Sequence, residues 1–134
     1  MKLWHKFLLA AVLTPALVLG GYAAYLAATY INETVVSGSA YGFSVGSSKQ
    51  HVIEQASALR EAHPNAVIYI DLGPRAGDRF TVAPTTDQID RLRPHDQWSL
   101  QLDGPTEFFN TIRLTFQDGR LVEIHRHRKN FELP

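Results

Sequence analysis

From Phe7 to Ile31 the chain carries no charged side chain, and this run restricts the rest of the molecule more than any other feature. A hydrocarbon layer about 30 Å thick is crossed by about 20 helical residues. Backbone groups in lipid must find partners within their own segment, so such a run spans a membrane as a helix. The chain therefore divides into a tail over 1–6, an anchor over 7–32, a linker over 33–40 and a domain over 41–134. Lys2, His5 and Lys6 precede the run and Glu33 is the first charge after it. That bias places the N-terminus in the cytoplasm and the C-terminal domain in the periplasm, on the outer face of a bacterial inner membrane. Trp4 at one end, and Tyr22, Tyr25 and Tyr30 toward the other, are the amphipathic rings expected at the two lipid boundaries. A secretory signal has a shorter apolar core than this run, so the segment reads as an uncleaved signal-anchor.

Within the anchor, Gly20, Ala24 and Ala28 recur every four residues and form a face of small side chains that another membrane helix can approach, including one from a second copy. Pro15 removes a backbone hydrogen bond near the middle. No ionisable residue lies inside the span, which removes the usual mark of a transporter or proton relay.

Lys2 and Lys6 account for two of the 13 basic residues, so the remainder has 11 against 13 acidic ones. A near-neutral domain lacks the basic surface that displaces counterions from nucleic acid. Cysteine is absent, so the domain depends on its apolar core rather than on disulfides.

After the Ser37-Gly38-Ser39-Ala40 linker, Tyr41, Phe43 and Val45 alternate as in a short strand, closed by Gly46. Ser47 and Gln50 have the spacing of a capping box. Val52, Ile53, Ala56 and Leu59 then follow at helical spacing, and Pro64 stops the helix. Val67–Leu72 and Arg79–Val82, separated by the loop from Gly73 to Asp78, read as a hairpin. Thr85, Gln88, Ile89 and Leu92 suggest a short helix, and Trp98, Leu100 and Leu102 a half-buried strand ending at Gly104-Pro105. The expected fold class is α+β, with one main helix on an antiparallel sheet of four or five strands.

The last hairpin poses a question of parity, because Ile112, Leu114 and Phe116 mark one strand and Val122 and Ile124 the other. A three-residue loop, Gln117-Asp118-Gly119 with a G1 bulge, pairs Leu114 with Val122 and Ile112 with Ile124, and so places all five on one face. The opposite face then carries Arg113, Thr115, Glu123, His125 and His127.

Arginine and histidine on that face suit contact with an acidic protein partner. Glu123, His125 and His127 also alternate as metal ligands would, but three ligands in line suit a tetrahedral ion poorly. Arg75 and Arg79, beside Asp78, form a second candidate for binding a carboxylate or phosphate. Arg91, Arg93, His95 and Asp96 around Pro94 form a third group, read as the charged end of a helix. No Gly-x-Ser-x-Gly turn and no phosphate loop occurs, so neither an enzyme nor a cofactor is expected.

The run Gly46-Ser47-Ser48-Lys49-Gln50-His51-Val52 at a helix start, with strands ending in Phe116-Gln117-Asp118-Gly119-Arg120-Leu121-Val122, resembles the small α+β domain of outer-membrane-assembly lipoproteins. The lipid-bearing cysteine and the Leu-Gly-x-Pro of that family are missing here. The layout of one uncleaved anchor and a small periplasmic domain is similar to that of immunity proteins against colicin-M-type bacteriocins. These resemblances carry over no functional residue. They imply a protein-binding module, with bacteriocin immunity as the leading function. The alternatives are an envelope assembly or accessory subunit docked through Gly20, Ala24 and Ala28, and a metal-dependent hydrolase using His125 and His127.

Overall fold

A computed structural model describes residues 2–75, 79–104 and 110–128. The chain forms two units, and Ile31–Arg128 make up the larger one.

In the smaller unit, α1 runs from Lys2 to Thr29 without a buried residue and continues through Pro15. It is long and apolar enough to cross a membrane. Its threonines return their hydroxyls to the preceding turn, Thr14 Oγ1 to the Ala10 carbonyl at 2.8 Å and Thr29 Oγ1 to the Tyr25 carbonyl at 2.8 Å. Both hydroxyls are thus satisfied within the helix.

The larger unit is α+β. Its strands are β1 (Ile31–Val35), β2 (Ser39–Ala40), β3 (Phe43–Ser44), β4 (Val67–Asp71), β5 (Arg79–Val82), β6 (Gln97–Gln101), β7 (Asn110–Gln117) and β8 (Arg120–Arg128), with helices α2 (Lys49–Ala58) and α3 (Ile89–Leu92) between them. Six strands form one antiparallel sheet in the order β1-β8-β7-β6-β4-β5, and β2 and β3 form a separate two-stranded ladder. The sheet is wider than the expected four or five strands because Ile31–Val35 pairs with β8 as an edge strand. Residues 33–40, expected as a linker, are therefore structured, ending in the β2–β3 ladder. Tyr41 (φ 55°) and Gly42 (φ 87°) make the turn of that ladder, so Tyr41 lies outside the expected strand.

One sheet face holds the core. Val52, Ile53 and Ala56 of α2 are completely buried with Ile68, Ile70, Trp98, Leu100, Ile112, Leu114, Phe116, Leu121 and Ile124. Ser48 caps α2 by accepting from the His51 amide at 3.2 Å. Gln50 bonds Glu54 instead of reaching back, so the cap is one-sided and begins one residue later than expected. Lys49 Nζ reaches the Arg93 carbonyl at 2.7 Å and Asp96 at 2.8 Å, and lies 5.5 Å from the Phe116 ring centre. Trp98 donates from its indole nitrogen to the Leu92 and His95 carbonyls at 3.1 and 3.0 Å, which settles its buried polar atom.

The β7–β8 connection differs from the expected loop. Gln117 pairs with Arg120 across a two-residue turn in which Asp118 (φ 53°) and Gly119 (φ 75°) are both left-handed, the combination that matches strand twist. The parity conflict is resolved further along the strand. A register shift between Thr115 and Phe116 opposes Phe116 to Leu121 and Thr115 to Glu123, leaving Val122 as the bulged residue. Leu121 therefore enters the core in place of Val122, and Leu114 pairs with Ile124, not with Val122.

Gly119→Val should lower stability by about 1 kcal/mol or more, because a β-branched residue resists positive φ. Ile53→Ala should cost about 2–5 kcal/mol through the cavity it opens. Thermal melts of the full chain in detergent, followed by near-ultraviolet circular dichroism, check both. Unchanged midpoints would contradict the turn geometry and the placement of α2.

Candidate functional site

With the core on one side, the alternate residues of each strand fall on the other. There Thr34, His125, Arg113, Ser99, Tyr69 and Thr81 stand in register across all six strands. Thr34, Arg113 and Thr81 are exposed, and His125, Ser99 and Tyr69 are half-buried. The two faces of an antiparallel sheet alternate strictly, so these side chains are held by the sheet and, at Thr34, Arg113 and Thr81, reach solvent among the described residues.

Cross-strand pairing organises the row. His125 stands opposite Arg113 on one side and Thr34 on the other, with Thr34 Oγ1 3.0 Å from His125 Nδ1. At the far edge the Arg79 guanidinium lies 5.7 Å from the Tyr69 ring centre and donates to its hydroxyl at 3.4 Å. His127 faces Thr111 in the next row, and Glu123 faces Thr115 on the other side of the central row. Gln101 is the buried exception, at 1% exposure.

The sheet thus brings together Arg113, Glu123, His125 and His127, all expected on one face. Arg113 stands opposite His125 rather than Glu123, because the bulge at Val122 shifts the pairing. Arg79 shares the face but sits four strands from β8, about 19 Å at ordinary strand spacing. Arg75 lies in the loop after β4, and Asp78 lies outside the described residues. The expected second candidate is therefore separate from the first.

The third group has structural partners. Asp96 takes the Lys49 ammonium. Arg91 and His95 pack on the Phe80 ring at 4.9 and 5.6 Å.

Arg126 was hidden in the basic run and has a different environment. It shares the core-side parity of Ile124 and is only 7% exposed. Its Nη1 donates to the Thr111 and His127 carbonyls at 3.3 and 2.9 Å, and its guanidinium lies 5.8 Å from the Tyr41 ring centre. Burial, then the nearby Arg128, holds its pKa below the usual arginine value. The Tyr41 hydroxyl donates to Glu33 Oε2, and this bond raises the phenol's pKa. The signal in the sequence is the two-residue step from Ile124, legible once Ile124 is known to face inward.

Alternate residues on a strand are about 6.8 Å apart, whereas zinc ligands converge within about 2 Å of one ion. Among the described residues no group of three histidine or acidic side chains has a metal-holding arrangement.

Gly20, Ala24 and Ala28 are exposed along α1, and a Cβ built on Gly20 would meet nothing within 4 Å.

Comparison with family models, curated proteins and solved structures finds no match for this chain.

EDTA should leave the melting temperature of the purified full chain unchanged. A fall of several degrees, reversed by zinc, would show that Glu123, His125 and His127 hold an ion after all.

Proposed function

We propose that this chain is a membrane-anchored protein-binding module. In this reading α1 crosses a bacterial inner membrane, and the open sheet face captures a protein partner in the periplasm. In its most specific form the partner is a colicin-M-type bacteriocin and the chain is the immunity protein against it. The reading is carried by Arg113 beside His125 on a face left uncovered by the core helices. Their pairing across β7 and β8 places an exposed cationic side chain at the centre of a preformed surface.

The chemistry of the row suits recognition. Arginine and tyrosine are the residue types on which binding energy concentrates, since each offers a broad contact area with a polar end. Ser99, Thr34 and Thr81 supply short hydroxyls between them, adaptable donors and acceptors at little entropy cost. Arg113 and His125 meet no acidic residue in their own row, so an acidic patch on a partner would complete the electrostatics. Among the described residues this row carries no aliphatic side chain, in keeping with a partner that comes and goes rather than an obligate subunit.

Membrane tethering adds a second physical advantage. Confining the domain to the surface where a membrane-acting toxin works raises its effective concentration there without any new contact.

Two measurements test this. A reporter active only outside the cytoplasm, fused after Pro134, should be active; activity of a cytoplasm-only reporter there would overturn the topology. Arg113→Glu and His127→Glu should each reduce capture of, or protection against, the matching toxin by tenfold or more while shifting stability by less than about 1 kcal/mol. The loss should shrink with added salt. Undiminished protection by both stable variants would exclude this face as the binding surface.

A further inference from the structure

We propose that Arg128, supported by Arg126, binds the phosphate of an anionic phospholipid headgroup. This rests on the reading that α1 crosses a membrane.

Placement follows from the covalent chain. Tyr30 alone separates Thr29, the last residue of α1, from Ile31, the first of β1, and Ile31 pairs with Arg128. Arg128 is thus joined to α1 through one strand pairing and two residue steps of the chain. The headgroup layer beyond the hydrocarbon is about 5–8 Å deep on each side. A long side chain with an apolar stem and a charged tip suits a phosphate at such a boundary.

The local charges leave Arg128 available. The carboxylates beside Arg126 are Glu33, opposite it on β1 and accepting from the Tyr41 hydroxyl, and Asp103, accepting from Asn110 Nδ2 at 3.0 Å. Among the described residues the Arg128 guanidinium makes no hydrogen bond or salt bridge. Arg126 stands two residues away on the same side of β8, its position fixed by two backbone carbonyls and the Tyr41 ring. With Glu33 and Asp103 balancing Arg126, the Arg128 guanidinium carries the attraction, and its fork matches the oxygens of a phosphate.

The test uses the full chain in nanodiscs of phosphatidylcholine alone or mixed with phosphatidylglycerol, with melting followed by near-ultraviolet circular dichroism. Phosphatidylglycerol should raise the midpoint by about 4 °C or more, and high salt should remove the increment. Arg128→Gln should melt like wild type in phosphatidylcholine and lose the increment. The double variant Lys2→Gln/Lys6→Gln should keep it, since those residues lie at the other end of the helix. An increment that survives Arg128→Gln, or is absent in wild type, overturns the inference. Inorganic phosphate that stabilises the phosphatidylcholine sample as much as phosphatidylglycerol does would make free phosphate the ligand and overturn the lipid assignment. A chain that does not incorporate into discs overturns the anchor reading, and this inference with it.

Discussion

The pairing of β7 with β8 decides which side chains this domain buries and which it presents. These strands are neighbours within the six-stranded sheet, so any slip between them passes to β1 on one side and β6 on the other. The left-handed Asp118-Gly119 turn starts the register, and the bulge at Val122 corrects it after one turn of the ladder. Without the bulge, burying Leu121 would point Ile124 outward, because strand side chains alternate strictly. With it, Leu121 and Ile124 both enter the core, while Glu123, His125 and His127 stay together on the other face. The segment Gly46–Ser48 locks the same strand from outside: Gly46 donates to the Leu121 carbonyl at 2.7 Å and Leu121 donates to the Ser47 carbonyl at 2.9 Å. The start of α2 is therefore tied to the strand whose register its own packing requires.

Much of this is legible from residue patterns. The apolar run predicts α1, the stripe of Val52, Ile53 and Ala56 predicts α2, and the β-branched runs predict β4 and β5. The short helix near Ile89 and the strand through Trp98 also stand where alternation and breakers put them. Two features escape local reading. Ile31–Val35 has polar residues at Asn32, Glu33 and Thr34, and becomes a strand because β8 is long enough to need a partner on its outer edge. The bulge escapes because Leu121 and Val122 are both apolar. A three-residue loop satisfies the parity of Val122, whereas the tertiary contact with Gly46–Ser48 favours Leu121. The face of Arg113, Glu123, His125 and His127 survives this change because Glu123 and everything after it keep their side of the sheet. Arg126 is the converse case: its place in a basic run suggests exposure, and only the inward direction of Ile124 shows that it is buried.

The proposed function follows from a division of labour. The core-bearing face takes most of the apolar side chains that α2 and the strands supply, and the other face carries polar chemistry. Its row of Thr34, His125, Arg113, Ser99, Tyr69 and Thr81 is held by backbone ladders on both sides, except at the two edges. Side chains so mounted lose little freedom on binding, which is where a rigid recognition surface gains over a loop. In the proposed reading α1, uncharged from Phe7 onward, keeps that surface at the membrane.

The central claim is that this row shares one open face in the register described, and paired cysteines test it directly because the chain has none of its own. Positions 113 and 125 stand directly opposite, about 5 Å apart at Cα and within disulfide reach, whereas a diagonal pair such as 113 and 123 is about 7–8 Å apart. The full chain carrying Arg113→Cys and His125→Cys should close its disulfide under mild oxidation, and Arg113→Cys with Glu123→Cys should remain reduced. Efficient closure of the second pair and not the first would show the register of a three-residue loop between β7 and β8, and would contradict the placement of Arg113 beside His125 from which the function is argued.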